Sequence, residues 1–395
     1  MAYVVRPGTE KLWRYVDAYL PRIFGLYLHT ALIAHYGLGQ YATPAWLLGV
    51  FGVLLAAIPD PHSFLLIRHY GAAARRLLAL TTPWLLFKAA LAAVVAWSSL
   101  QFAASTLLGG RVSEQATLWA VLWFGSVEFL WSVLGTSSLA CGNVRQVALT
   151  GLAARLIALL SLTAGWFVSQ LSFAQSIALA AAPTTTALLF LLPATTRYGR
   201  SAKFMVFSLR KYAIWAQGIG LVTVVLFQLP TIVLGVAPLS APAGVGQLSY
   251  ISRIVLAVLQ PLQIMQAMVI KETVSARTVD LLWMRRTFRV GSVALLAAGL
   301  AVIGALYQGA QVEASILVVS LAFVSGVSFS AWHRFELSQL LASASVRDLF
   351  LRGYLPVLVG TVVLISALVP LIGAVGLAVA ILFGWVALSI CWKWV

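Results

Sequence analysis

Lys and Arg residues recur in alternate gaps between long apolar stretches of this chain, and this alternation constrains the fold more than any other feature. Hydrophobic residues make up 62% of the sequence and charged residues 9%, with 26 Lys and Arg against 10 Asp and Glu. The apolar stretches are about 20 residues long, which is enough to cross a bilayer as helices. Basic residues concentrated on one side are the positive-inside pattern of a polytopic membrane protein.

The predicted fold is an all-α polytopic membrane protein with twelve transmembrane helices and both termini in the cytoplasm. The apolar stretches place the helices at 14–37, 44–67, 80–106, 117–140, 149–169, 174–195, 212–236, 246–270, 288–308, 314–332, 351–369 and 372–393. The gaps assigned to the cytoplasm hold the basic residues Arg68, Arg75, Arg76, Arg145, Arg197, Arg200, Lys203, Arg210, Lys211, Lys271, Arg277, Arg285, Arg286, Arg289, Arg334, Arg347 and Arg352. The opposite gaps hold few charged residues: 38–43 and 237–245 hold none, one gap holds Arg111 and Glu114, and another holds only Glu313.

The longest basic linker, TRYGRSAKFMVFSLRKYA (196–213), falls at the midpoint of the chain. It predicts two lobes of six helices, residues 1–199 and 200–395, related by an axis along the membrane normal. A single bundle without internal symmetry is the alternative. Two lobes would enclose a cleft, and rocking of the lobes would then give alternating access.

Two ionisable residues lie deep inside predicted helices, where an unpaired charge costs several kcal/mol. Glu128 lies near the middle of the helix 117–140, so it faces a wet cavity, is neutral, or pairs with a basic residue. A hydrogen bond from a protonated Glu128 to a neighbouring helix is the simplest structural role. Arg253 lies roughly 12 Å below the outer surface, which favours a cavity-facing role over snorkelling. Its guanidinium suits bidentate binding of a phosphate.

Asp60 lies between Pro59 and Pro61, which bend or break the helix and free backbone carbonyls. With His62 beside it, Asp60 predicts a cation or proton site. A local kink capped by Asp60 is an equally good interpretation.

Three further basic residues lie near the cytoplasmic ends of predicted helices. Arg22 would line the cytoplasmic mouth or snorkel to the inner headgroups. Lys88 and Arg155 are expected mainly to snorkel, with Lys88 the better candidate for a cavity. An anionic ligand would be held by Arg22, Lys88 and Arg253 together, rather than by one lobe.

Several function classes lack their sequence signature. No GxxxxGK[ST] phosphate loop, HExxH motif or His/Cys metal cluster is present, and no long outer loop provides room for a glycan-polymerising site. The net charge of +16 is spread over loops that meet anionic headgroups, which argues against nucleic acid as a partner. The sequence therefore predicts a transporter, with no enzymatic activity, cofactor or metal.

Four stretches resemble exporters of the MOP (multidrug/oligosaccharidyl-lipid/polysaccharide) superfamily, specifically its lipid-linked oligosaccharide flippases. They are GVGQLSYISRIVLAVLQPLQIMQAMV (244–269), PLIGAVGLAVAILFGWVALS (370–389), FLLIRHYG (64–71) and HYGLGQYATPAW (35–46). The resemblance implies a two-lobed, V-shaped transporter with a cationic central cavity for the pyrophosphate and sugar. The prolines at 59 and 61 depart from the glycine-rich helix end of that family. The chain is also shorter than the fourteen-helix peptidoglycan-precursor flippases, which argues against that branch.

The resulting hypothesis is a monomeric flippase of the bacterial inner membrane. It would move an undecaprenyl-diphosphate-linked oligosaccharide from the cytoplasmic to the outer leaflet, with a glycan polymerase and export machinery as further partners. Arg22, Lys88 and Arg253 would bind the pyrophosphate. Glu128 would bind sugar hydroxyls, and Asp60, Glu128 or His62 a coupling proton or cation. The alternatives are a multidrug or cation antiporter of the same fold, a membrane-embedded glycan-processing enzyme, and a scaffold subunit.

Overall fold

A computed structural model of the protein describes ten stretches of the chain. These are residues 7–58, 72–107, 115–141, 143–191, 203–237, 239, 242–274, 281–309, 314–343 and 345–391. Every regular element within them is helical. The all-α fold class is thereby confirmed for the described residues.

Eleven helices, labelled in chain order, make up most of the described chain. They are α1 (Pro7–Ala57), α2 (Ala72–Leu107), α3 (Gln115–Cys141), α4 (Val144–Val168), α5 (Phe173–Leu191), α6 (Lys203–Val236), α7 (Pro242–Val274), α8 (Leu281–Gly309), α9 (Ala314–Trp332), α10 (Arg334–Ser343) and α11 (Leu355–Ile390). A single turn, Val346–Asp348, leads through a π-helical segment, Leu349–Tyr354, into α11.

Two of these helices contain a break in their backbone. In α1 the break is at Gly37, whose φ of 80° lies in the left-handed region that glycine adopts without a steric penalty. In α11 it is at Ile372 and Gly373, and Gly373 has φ 60°. The predicted loop at 38–43 is therefore wrong, because these residues are helical and Gly37 alone makes the bend.

Nine helical segments within the described residues are long and apolar enough to cross a membrane. The two longest, Tyr19–Ala57 and Val346–Ile390, contain the breaks at Gly37 and Gly373. Large apolar side chains on the outward faces, such as Phe167, Phe190 and Val290, are 68–87% exposed. Such surfaces suit lipid and not water, and the chain is a multi-pass membrane protein. The count of twelve spans and the location of the termini stay predictions.

Several helices begin earlier than the apolar pattern predicts. The predicted start at 80 becomes Ala72 in α2, and the predicted start at 212 becomes Lys203 in α6. Basic and polar residues at a membrane surface continue the i to i−4 backbone hydrogen bonds, although they fall outside an apolar window. The second half of the predicted linker 196–213 is consequently helical.

The chain divides into two compact units. Unit 1 consists of Met1–Gly37 and Leu47–Gln217, and unit 2 of Leu38–Trp46 and Gly218–Val395. The short segment Leu38–Trp46, here called the insert segment, thus belongs to unit 2 although it lies in the first half of the sequence. The predicted division between residues 199 and 200 stays a prediction.

In unit 1, helices α3, α4 and α5 pack around the indole of Trp131, which is 1% exposed. Val127, Val147 and Leu188 are buried in the same cluster. Gly151 on α4 allows this packing, because a methyl group there would lie 2.5 Å from Trp131 Cζ2.

In unit 2, helix α9 packs closely against α11. Gly326 faces Trp385, where an added methyl group would lie 2.8 Å from the tryptophan Cβ. Phe227 on α6 contacts the rings of Phe323 and Trp385 at centroid distances of 5.1 and 6.2 Å. Small residues at such contacts let helices approach closely, which matters in lipid because dispersion forces drive much of the association.

Two contacts fix the insert segment to the rest of unit 2: the Trp46 side chain contacts α6, and the Leu38 carbonyl lies close to the backbone of α7. Trp46 Nε1 donates a hydrogen bond to the Ile232 carbonyl oxygen at 3.1 Å, and its ring lies against Gly235. A methyl group at Gly246 would lie 2.5 Å from the carbonyl oxygen of Leu38. Glycines on α6 and α7 are therefore what allow the insert segment to pack against these helices.

Gly235→Ala is expected to destabilise the protein, because the added methyl group would clash with the indole of Trp46. Overpacking of this kind costs about 1–3 kcal/mol. The measurement is the Tm of the detergent-purified protein, with Gly220→Ala on the same helix as the control. Gly220 has nothing within 4 Å, so its substitution should leave the Tm unchanged or raise it. Equal Tm values for the two variants would contradict this account of the insert segment.

Candidate substrate-binding residues

Lys88 lies on α2 and is 2% exposed. Its Nζ lies 5.3 Å from the centroid of the Phe129 ring on α3, a distance at which an ammonium group is attracted to the face of an aromatic ring. The expectation that Lys88 snorkels to the headgroups is wrong, because the charged group is buried among protein side chains. Its alternative role, as a cation inside the helix bundle of unit 1, stays a prediction.

Arg155 on α4 pairs with Glu128 on α3. Arg155 Nη2 lies 3.2 Å from both carboxylate oxygens of Glu128. Arg155 is 2% exposed and the Glu128 side chain 24%. Of the three environments considered for Glu128, the structure contains the pair with a basic residue. The expected snorkelling of Arg155 is wrong, because an opposite charge one helix away is a better partner than distant headgroups.

The Trp131 indole holds the guanidinium of Arg155 in place. Arg155 Cζ lies 5.0 Å from the centroid of the Trp131 ring, and Nη1 lies 3.5 Å from the Gly151 carbonyl oxygen. A methyl group at position 151 would also lie 3.2 Å from Nη1. Glycine at 151 therefore makes room for both the indole and the guanidinium.

Arg253 lies on α7 in unit 2 and is half-buried. It hydrogen-bonds with the hydroxyl of Tyr41, which also hydrogen-bonds with Ser249. Tyr41 belongs to the insert segment and is 1% exposed, and Ser249 is 3% exposed. Arg253 is therefore held in a built polar environment within unit 2, away from the loops that carry most of the basic residues.

The remaining predicted site residues are less closely defined. Arg22 is half-buried on α1 in unit 1. Asp60 and His62 lie outside the described residues, so their role as a coupling site stays a prediction. No group of three or more His, Cys, Asp or Glu side chains that would hold a metal lies within the described stretches.

His35 lies in an aromatic cluster of unit 1. Its ring centroid is 4.4 Å from that of Trp166. The neighbouring Tyr36 hydroxyl donates to the Leu171 carbonyl oxygen at 2.6 Å and lies 2.9 Å from Ser176 Oγ. These contacts account for His35 and Tyr36 as packing residues between α1 and the turn that joins α4 to α5.

Arg334, at the junction of α9 and α10, forms part of a polar network with neighbouring helices. Its Nε donates to Gln266 Oε1 at 2.7 Å, while Arg285 pairs with Glu336 at 2.8 Å. Desolvation lowers the pKa of the Arg334 guanidinium from its ordinary value. An arginine nonetheless stays charged at neutral pH, so this network is a fixed set of charges.

Unit 2 also contains a small cavity between α7, α8 and α9. Gln247, Ile303 and Ser320 are among its lining residues, and it leaves about 10 Å³ for the centre of a water molecule. That space is about one water, too small for a sugar or a lipid headgroup. The cavity is therefore no candidate for the substrate site.

Sequence reasoning missed Tyr41 and did not identify Arg155 as the partner of Glu128. Tyr41 gave no signal, because a tyrosine in a predicted outer loop is unremarkable. Arg155 was noticed, but its partner lies on a different helix and only the fold brings Glu128 to it. A search for single acidic and basic residues at equal depth in adjacent helices would have suggested the Glu128–Arg155 pair.

No protein-family model matches the chain, and no curated protein sequence matches it. Three solved structures share its fold. The lipid II flippase MurJ, in an inward closed conformation, is similar with a TM-score of 0.61 and 14% identity, over 96% of this chain and 86% of that one. An inward-facing multidrug resistance MATE family transporter of the MOP superfamily is similar with a TM-score of 0.57 and 12% identity, over 96% of this chain and 92% of that one.

A MATE structure in complex with MaL6 is similar with a TM-score of 0.52 and 12% identity, over 96% of this chain and 91% of that one. At such low identity the likeness establishes the fold. The chain has the fold of MOP-superfamily exporters, and the resemblance seen in the sequence is confirmed at that level.

Glu128→Gln is expected to destabilise unit 1, because it leaves the Arg155 charge buried without its carboxylate. Breaking a buried pair in this way costs about 3–5 kcal/mol. The double variant Glu128→Gln with Arg155→Met should recover most of the loss, since it removes both charges. The measurement is the Tm of each purified variant. Arg145→Met, at an exposed position of the same helix α4, is the control and should change little. A double variant no more stable than Glu128→Gln would rule out the pair as the cause.

Proposed function

We propose that this protein is a flippase that moves an undecaprenyl-diphosphate-linked oligosaccharide across the bacterial inner membrane. The fold is the first support, because a lipid II flippase and multidrug transporters share it. The fold by itself does not choose between an anionic lipid substrate and a cationic drug. That choice depends on the charges inside the spans.

The balance of charge inside the spans is the observation that carries the proposal. Among the described residues, Arg22, Lys88 and Arg155 lie within candidate spans, and Arg253 lies within the shorter apolar helix Ala243–Leu259. Glu128 is the acidic residue that opposes them, and it is committed to Arg155. Basic residues thus outnumber acidic residues among these five side chains. An excess of basic residues suits a substrate with a pyrophosphate group and is unsuited to a cationic drug.

The ion pair with Arg155 also limits the part that Glu128 can take in ion coupling. Both carboxylate oxygens of Glu128 lie 3.2 Å from Arg155 Nη2. A coupling ion would have to compete with this contact. In the proposed mechanism Glu128 orients Arg155 and the surrounding helices, while Arg22, Lys88 and Arg253 contact the pyrophosphate. Any coupling ion would bind elsewhere, with Asp60 and His62 the remaining candidates.

The fold leaves a multidrug or cation antiporter as the second candidate, since MATE transporters share it. The two candidates differ in a simple assay. A strain lacking the gene should lose a surface glycan and accumulate its lipid-linked precursor if the protein is a flippase. Greater drug sensitivity with a normal surface glycan would favour the antiporter.

Arg253→Ala is expected to abolish translocation of the lipid-linked oligosaccharide, while expression and membrane insertion stay normal. The guanidinium supplies the bidentate contact to the phosphate, and alanine supplies none. The measurement is flipping of a fluorescent undecaprenyl-diphosphate-linked oligosaccharide in proteoliposomes. Arg286→Ala, which removes an exposed arginine of unit 2, is the matched control and should retain full activity. Full activity of the Arg253→Ala protein would refute the assignment of Arg253.

A further inference from the structure

Two of the sequence stretches that resemble the exporter family come together in unit 2. HYGLGQYATPAW (35–46) contains the insert segment, and GVGQLSYISRI opens α7. They meet at Leu38 and Gly246, where the carbonyl of one approaches the backbone of the other, and again at Tyr41 and Arg253. The break at Gly37 is what turns the insert segment away from the preceding helix and towards these contacts.

Tyr41 is placed at the side of Arg253 by residues on both elements. Ser249 and Arg253 are four residues apart on α7 and so share one helix face. Both hydrogen-bond with the Tyr41 hydroxyl. An arginine has donors only, so Arg253 donates to the phenol oxygen, while the hydroxyl proton remains available to Ser249. Ser252 does not compete for this contact, because its Oγ donates to the Ser249 carbonyl oxygen at 2.7 Å.

We propose that Tyr41 is a positioning residue for substrate binding: it holds one edge of the Arg253 guanidinium so that the other edge is presented to a phosphate. This inference rests on the proposed function, in which Arg253 contacts the pyrophosphate. A guanidinium carries five N–H donors. One contact to Tyr41 leaves enough of them for a bidentate contact to phosphate oxygens.

The reason for a fixed guanidinium is entropic. An arginine side chain has many accessible rotamers, and ordering it at the moment of binding reduces affinity. The contact with Tyr41 orders the Arg253 side chain before the substrate binds. Tyr41 is itself immobilised, because Trp46 and the Leu38–Gly246 contact fix the insert segment on either side of it. The positioning thus depends on a residue far from Arg253 in the sequence.

Tyr41→Phe tests this inference, because it keeps the buried ring and removes the hydroxyl. The dissociation constant for undecaprenyl diphosphate is measured on the full-length protein in detergent, together with the Tm. Tyr41→Phe should weaken binding about tenfold with little change in Tm. Binding of undecaprenol, which has no phosphate, should be unaffected. Ser249→Ala, which removes the second partner of the hydroxyl, should weaken diphosphate binding in the same direction and by less.

Tyr36→Phe is the matched control. Tyr36 lies on the same helix, and its hydroxyl contacts Leu171 and Ser176 in unit 1. Its loss should leave diphosphate affinity unchanged, whatever it does to the Tm.

A double variant separates positioning from a general loss of structure. In an Arg253→Ala background, Tyr41→Phe should have no further effect on affinity, since there is no guanidinium left to position. A further loss in that background would overturn the inference.

The remaining outcomes distinguish this inference from the proposed function. If Arg253→Ala weakens binding and Tyr41→Phe does not, the positioning role is overturned and the proposed function stands. If Arg253→Ala leaves the affinity for undecaprenyl diphosphate unchanged, both are overturned.

Discussion

The lipid bilayer offers no hydrogen-bond partner and little solvation for charge, and the structure depends on this constraint. Backbone groups satisfy each other within long helices, so the described chain is helical throughout its regular elements. Charged side chains there need protein partners, and Arg155 on α4 forms an ion pair with Glu128 on α3. Trp131 and Gly151 shape the site that holds the guanidinium. One constraint therefore governs both the architecture and the placement of its few interior charges.

Close approach of helices is the second theme. Glycine lies where two elements meet in both units: Gly151 beside Trp131, Gly235 beside Trp46, and Gly246 beside the Leu38 carbonyl. In lipid, association of helices depends on packing at short range, and small residues permit it. A lipid II flippase and a MATE transporter share this fold at 14% and 12% identity, and many side-chain combinations can satisfy these packing rules. Function must then be argued from particular residues and not from the fold.

The interior charges give the proposed function its chemistry. Glu128 pairs with Arg155, and in the proposed function the other basic residues bind an anionic group. Arg253 is the best-defined of these cations, since Tyr41 and Ser249 form its surroundings within one compact unit. Pairing and positioning thus divide the ionisable residues into two kinds. Arg155 and Glu128 pair within unit 1, and Arg253 contacts Tyr41 within unit 2.

The sequence by itself determined that the chain is helical, spans a membrane many times and carries rare charges such as Glu128 and Arg253. These properties follow from the length and polarity of local stretches, because each helix that crosses the bilayer must itself be long and apolar. The tertiary structure decided the partners. It placed Arg155 on Glu128 instead of at the headgroups, replaced the loop at 38–43 by a bend at Gly37, and brought Tyr41 to Arg253. Contacts between residues distant in sequence depend on how the helices pack. An apolar pattern indicates that a helix face is buried, and it does not identify the residues that the face contacts.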